Sequence, residues 1–178
     1  MQWPVIDSYT HTLPTKEMPG AFWENRGDRW HCGVDIHAPK GGIVVAATAC
    51  YVMLVGEFTS PKAKPYWNLT RFVLALNDDG RFVKYAELDD IVAKMGERLV
   101  AGQLLGTVGE TINTARIDDN DPEYIRHIPS PSMLHLEIWS SYPVITNSHY
   151  HGGNWLLPTM PDRLLDPTVA FGKRFSQR

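Results

Sequence analysis

The sequence predicts an all-β chain, and three observations carry that expectation. Its apolar runs are short, rich in Val, Ile, Thr and aromatic residues, and bounded by Gly, Asn and Asp, which is how strands read. Asn77-Asp78-Asp79-Gly80 stands between two of these runs as a hairpin signal, because Asp-Gly accepts the positive φ of a tight antiparallel turn. The helical candidate is no more than one turn, over Asp90 to Lys94.

In chain order, the first strand-like run is Ile43 to Val55, entered from the Pro39-Lys40-Gly41-Gly42 turn. Arg71 to Leu76 and Arg81 to Leu88 flank the hairpin turn, Gln103 to Val108 follows, and Leu134 to Trp139 closes the series. Pro61 to Trp67 and Ala115 to Pro131 are polar and Pro-bearing, and read as long surface loops. Loops of that length are uncommon in compact domains unless they serve a function or lack order. No internal repeat or low-complexity linker interrupts the chain, so one domain is expected over residues 1–178.

Composition narrows the function classes. A content of 43% hydrophobic residues in 178 is ample for a core. The formal net charge of −3 argues against a nucleic-acid surface, which is ordinarily basic. No run of eighteen or more apolar residues is present, so no membrane-spanning helix is expected. The opening MQWPVIDSYT has no basic region followed by an apolar stretch, so no secretory signal is read and the compartment stays unassigned. Cys32 and Cys50 could form one disulfide or remain two buried thiols.

The segment from Trp30 to Gly42, WHCGVDIHAPKGG, carries the chemistry. His31 and Asp35 lie four residues apart, and on a strand or tight bend such a pair can meet at one centre. Zinc accepts nitrogen and oxygen ligands, but two do not close a site. A third is expected from His135 in MLHLEIW, where strand alternation puts every second residue on one face. Cys32 should point away from that centre if His31 faces it, since adjacent strand residues lie on opposite faces.

Six segments in order complete a pattern: Trp3-Pro4-Val5, HCGVDIHAP, YAELDD, GERLVAGQLLGTVGET, LHLEI and LLDPTVAF. This ordered set resembles the lysostaphin-type zinc metallopeptidases, which cut peptide cross-bridges of bacterial cell walls. The resemblance runs from Trp3 to Phe171, apart from insertions near Phe58 to Thr70 and Thr111 to Ser132. It implies an antiparallel sheet or β-sandwich of the duplicated hybrid kind, with zinc as cofactor and a cell-wall peptide as substrate or ligand. It also implies His31, Asp35 and His135 as the metal ligands, with the fourth position left to water, which is the catalytic arrangement. Relatives of this kind act in the cell envelope or outside the cell, and loops around their cleft shape what enters.

Two positions depart from the pattern. Members carry a histidine in the Tyr-Ala-His-Leu segment and another two residues before the last ligand; here these are Glu87 and Met133. A thioether neither titrates nor donates, so Met133 cannot handle protons. Glu87 can, as the carboxylate does in other zinc peptidases, although an exposed strand glutamate would be the ordinary reading. Since general acid and base groups each contribute roughly 10²–10⁴-fold, the expectation is a metallopeptidase-like domain with weakened or lost hydrolysis and Glu87 as its candidate catalytic group. The alternative is an inactive zinc-containing module, a pseudoenzyme that binds a peptide, glycan or protein.

Other residues carry a sharp and a plain reading. His37 shares the Asp35 face, yet the turn begins at once, so it is read as a surface residue or one that supports the ligands. His127 could swing over the metal, while a solvated loop histidine is the plainer reading. His149 and His151 could form a second metal site or belong to an exposed Gly-rich loop. Asp118, Asp119 and Asp121 lack the offsets of a calcium loop and read as a solvated turn. The tryptophans read as packing residues, with Trp67 and Trp155 the candidates for a substrate platform.

Overall fold

The computed structural model describes residues 2–121, 123–126, 130–143 and 148–175. Its strands are β1 (Trp30–His31), β2 (Val34–His37), β3 (Ile43–Val45), β4 (Cys50–Thr59), β5 (Thr70–Asn77) and β6 (Phe82–Ile91). They continue as β7 (Arg98–Leu99), β8 (Leu104–Glu110), β9 (Ser132–Trp139), β10 (Tyr150–His151), β11 (Asn154–Trp155) and β12 (Leu164–Leu165). Among the described residues, helix is confined to α1 (Glu123–Arg126), α2 (Pro167–Phe175) and a 3₁₀ turn over Thr114–Arg116. The chain is therefore all-β and antiparallel, as its sequence predicts. Among the described residues no helix is long and apolar enough to cross a membrane.

Among the described residues, seven strands follow one another in a large curled sheet in the order β12-β9-β8-β6-β5-β4-β7, β2 and β3 join it by pairing with β9 and β8, and β1, β11 and β10 form a small second one. Strand β9 organises the molecule because it has four partners. On one edge it meets β8 at Gly109↔Met133 and β6 at Ala86↔His135; on the other it meets β2 at Asp35↔His135 and β12 at Leu165↔Ile138. Every residue of β9 is buried. Alternation then splits its side chains: Leu134, Leu136 and Ile138 enter the main core with Val34, Ile36, Val83, Tyr85 and Leu105, and the odd-numbered residues turn to the opposite face. Tyr85 reaches through the core so that its hydroxyl accepts from the Ala47 N–H at 3.0 Å. Asp166 caps α2 by accepting from the Thr168 N–H at 2.8 Å, and Phe171 plugs the core from that helix.

The structure revises several local expectations. The run Ile43 to Val55 is two strands, β3 and β4, separated at Ala46 to Ala49 by a turn that the apolar composition conceals. Asp90 and Ile91 continue β6 and no helical turn forms, because Ile91 pairs with Gly106 and the Val92 N–H bonds to the Leu105 carbonyl. The hairpin at Asn77 to Gly80 is as expected, with Gly80 at φ 83°. The segments read as long surface loops are anchored: Tyr66, Trp67, Ile112 and Ile125 form an apolar cluster of their own, and Trp67 pairs with Ile112 through a β-bridge. Cys32 and Cys50 are both buried free thiols.

Candidate metal centre

Residues far apart in the chain meet where β2 crosses β9. Asp35 and His135 are direct cross-strand partners, and β1 delivers His31 from the side. Asp35 Oδ1 lies 3.1 Å from His31 Nε2 and 3.0 Å from His135 Nδ1, and the two ring nitrogens are 2.9 Å apart. Three atoms at these separations can all lie about 2.0–2.1 Å from one point above their plane, the bond length zinc prefers. All three side chains are buried.

The remaining ring nitrogens are held by groups that can only accept. His31 Nδ1–H donates to the Ala21 carbonyl at 2.8 Å, and His135 Nε2–H donates to Glu137 Oε1 at 3.0 Å. With a metal bound, each ring would thereby be held in the tautomer whose free nitrogen faces the shared point, as in carboxylate–histidine–zinc arrangements. Asp35 is aimed in the same manner: Arg26 Nη2 donates to Oδ2 at 2.9 Å, leaving Oδ1 toward the histidines. Arg26 is itself held by Glu24 at 3.1 Å and by Asn154 Oδ1 at 3.3 Å.

Two glycines let the elements approach this closely. A Cβ at Gly33 would stand 2.4 Å from the Leu136 carbonyl oxygen and 2.9 Å from the His135 ring; one at Gly153 would stand 2.7 Å from His135 Nε2. Gly153 also adopts φ +76°, a region side chains disfavour. The glycine inside His-Cys-Gly-Val-Asp is thus a packing requirement of the site.

Below the trio lies a buried polar network. Glu137 accepts from Trp139 Nε1 at 2.8 Å and from the Tyr150 hydroxyl at 2.5 Å, and Lys84 Nζ sits 3.7 Å away while donating to the same hydroxyl. The Lys84 ammonium also faces the rings of Phe58, Phe72 and Tyr150 at 4.8, 5.1 and 4.3 Å. Burial acts against every charge here, and the direction of each shift turns on whether the partners outweigh it. Burial would raise the Glu137 carboxyl, yet Lys84 and the His135 hydrogen bond hold it down to about 2. Burial would lower His135, yet Asp35 and Glu137 lift it to about 9 in the metal-free site. His31 has no comparable support and is lowered by burial and by the charge of Arg26. For Lys84, burial outweighs Glu137 and lowers the ammonium.

Glu87 is not a solvated strand residue; it is 8% exposed and lines the cleft above the trio. Simple alternation would send it into the core, because Tyr85 is there and Ala86 is the cross-strand partner of His135. The pairing shifts between Phe72↔Ala86 and Arg71↔Leu88, so Glu87 is the extra residue of a β-bulge and stands at φ 63°. The bulge turns its side chain to the cleft and restores Leu88 to the core, one of the recognised uses of bulges. Burial, reinforced by the charge of Asp35, raises this carboxyl to about 7, and its Oε2 is buried without a hydrogen-bond partner.

The cleft holds about 470 Å³. Asp35, His37, Glu87 and Met133 line it along the sheet, together with Arg26 and Asn154 and the apolar group Tyr66, Trp67, Ile112 and Ile125. Met133 is 6% exposed. The two inserted segments therefore build one wall of the cleft. Trp67 belongs to that wall and stacks on His151 at 5.0 Å, whereas Trp155 packs with Trp139 and Tyr150. Among the described residues, His31, Asp35 and His135 are the group that could hold a metal, and His149 and His151 add no second one. His127 lies outside the described residues. Asp118 and Asp121 close a turn by accepting backbone N–H groups of Asn120 and Asp118. Cys32 packs with Trp139, Tyr150 and Trp155, apart from the trio.

Sequence reasoning missed Glu137, Lys84, Tyr150 and Arg26. Glu137 had a signal, since it stands two residues after His135 and shares its face; the other three are joined to the site only by the tertiary fold.

The sequence pattern of peptidase family M23 matches residues 29–145. No curated protein matches the chain in sequence. The structure is similar to the catalytic domain of the antimicrobial peptidase lysostaphin from Staphylococcus simulans, at 17% identity and TM-score 0.51 over 86% of this chain and 87% of that one. It is similar to LytU at 16% identity and TM-score 0.53 over 97% of this chain and 87% of that one. A longer lysostaphin structure matches at 17% identity and TM-score 0.57, over 94% of this chain and 52% of that one.

Proposed function

Because the chain belongs to peptidase family M23, a family of zinc metallopeptidases, we propose that it is a zinc-dependent endopeptidase that hydrolyses peptides of the bacterial cell wall. His31 Nε2, Asp35 Oδ1 and His135 Nδ1 would hold the metal, and Glu87 is the general base. Zinc in such a site acidifies a water to a pKa of about 7 and polarises the scissile carbonyl. Glu87 removes the proton of the attacking water and returns it to the departing amine, which is a poor leaving group until protonated. Arg26 and Glu137 keep Asp35 and His135 in position throughout.

The observation that carries this reading is the Glu87 carboxylate. A buried acid with an unpartnered oxygen, set at positive φ by a bulge, costs stability wherever it serves no purpose. A carboxyl that burial raises in the metal-free cleft, beside the residues that would hold zinc, is placed to move a proton there. Met133 favours a second reading, in which the cleft binds a wall peptide without cutting it, because no titrating group stands at that position.

Hydrolysis of purified peptidoglycan by the zinc-loaded protein, beside Glu87→Gln with its zinc content measured, tests the proposal. Native turnover that falls roughly 10²–10⁴-fold in Glu87→Gln, with zinc retained, is expected. No native turnover with zinc in place would leave the binding module as the better account.

A further inference from the structure

His37 lies on β2 two residues after Asp35, on the same face, and is the cross-strand partner of Met133. Residues two apart on a strand are separated by about 7 Å. His37 is therefore the next residue along β2 on the face that carries Asp35. Its ring lines the cleft together with Asp35, Glu87 and Met133, it is half-buried, and its Nδ1 is buried without a hydrogen-bond partner. The imidazoles of His31 and His135, by contrast, have both ring nitrogens engaged. A buried polar atom left unpaired calls for an explanation, and an imidazole that turns its ring to meet a bound ligand is one.

The layout around β9 sharpens the point. Glu87 comes from the bulge of β6 on one edge of β9, and His37 comes from β2 on the other, with Met133 between them. A methionine at this midpoint offers no donor. Negative charge that develops on a scissile carbonyl oxygen needs donors aimed at it in a site closed to water. His37 is the donor that β2 itself contributes to the cleft, while Arg26, which also lines it, is engaged with Asp35 and Asn154.

We propose that His37 is a catalytic hydrogen-bond donor that binds the carbonyl oxygen of the scissile peptide and the oxyanion it becomes, supplying from β2 the contact that Met133 cannot make from β9. The role is donation by a ring N–H, with Glu87 left to move the proton. The inference rests on the peptidase reading above.

The test uses the zinc-loaded protein and a phosphinic pseudopeptide, acetyl-Gly-Gly with a phosphinate in place of the central amide, followed by glycine. Its tetrahedral anionic oxygens mimic the oxyanion, and binding is measured by calorimetry with zinc content measured alongside. His37→Ala should weaken binding roughly 10–100-fold, the loss of one hydrogen bond to a charged group, with zinc undiminished. His37→Gln, which donates but does not titrate, should stay within about threefold of native. Adding Met133→His to His37→Ala should restore binding by returning an imidazole to the same cross-strand pair. Binding by His37→Ala as tight as native, or loss in His37→Gln as large as in His37→Ala, overturns the assignment. A native protein that holds zinc yet neither binds the phosphinate nor cuts peptidoglycan overturns the peptidase reading, and the assignment with it.

Discussion

Replacing Glu137 by Gln should separate what the buried network does for folding from what it does for the metal. The side chain keeps its shape but loses its charge and one acceptor oxygen. With the remaining oxygen still serving His135 and Tyr150, the new amide N–H₂ faces Trp139 Nε1, two donors at what was a 2.8 Å hydrogen bond. Lys84 loses its buried anion, 3.7 Å away. Leaving one member of a buried pair uncompensated costs about 3–5 kcal/mol. Lys84 limits that cost by shedding its proton, since burial already lowers its pKa. In a chain of this length 1 kcal/mol moves Tm by about 2–4 °C, so the metal-free variant should melt roughly 6–20 °C below native. Zinc affinity, measured by competition with a chelator, should fall about 10–100-fold as the His135 ring loses its anionic anchor. Adding Lys84→Met removes the orphaned ammonium and should recover most of the melting temperature but none of the zinc affinity. Native zinc affinity in Glu137→Gln would refute the reasoning that this carboxylate orients His135.

Glu87→Gly should raise Tm while abolishing peptide hydrolysis, because glycine accepts φ 63° at no steric cost and removes a buried carboxyl with one unpartnered oxygen; the gain should be about 1 kcal/mol or more. Zinc binding should release protons near neutral pH, read as a dependence of calorimetric heat on buffer. His135 is protonated below about 9 in the metal-free protein, so apparent affinity should climb as pH rises toward 9 and then level off. The same raised pKa means that His135 stabilises the metal-free fold below the ordinary histidine value of 6.5, and that this contribution fades as pH rises through about 9. Thermal melts between pH 6 and pH 10 check that sign. Iodoacetamide at pH 8 should modify neither thiol until the protein is unfolded, since burial pushes Cys50 up to about 11 and Cys32 higher still; rapid native labelling would contradict the buried placement.

Much of the site could be read before any coordinates. The four-residue interval between His31 and Asp35 and the alternation around His135 are local features, and local features survive in sequence. Met133 also follows from alternation, since it must share the face of His135 whatever the rest of the fold does. Glu87 shows where such reasoning stops. Strict period-two counting puts it on the core face, and only the register shift against β5, with Glu87 at positive φ, returns it to the cleft. A bulge leaves little mark in composition when the residue at positive φ is not glycine. The helical turn expected at Asp90 to Lys94 failed for a related reason: pairing with β8 outweighs a weak local preference.

The sequence by itself determined the strand-forming runs and the hairpin at Asn77 to Gly80, because each follows from a period or a spacing of a few residues, and its ordered motifs carried the family resemblance that implied His31, Asp35 and His135 as a set. The tertiary structure decided how those three are held. Arg26 on Asp35, Ala21 on His31 and Glu137 with Lys84 and Tyr150 beneath His135 join segments up to 128 residues apart, as Arg26 and Asn154 are. It also decided that Glu87 and His37 flank Met133 from opposite edges of β9. The physical reason is that burial makes each polar group require a partner, and which partner lies within 3 Å is set by how strands pair rather than by neighbours in the chain.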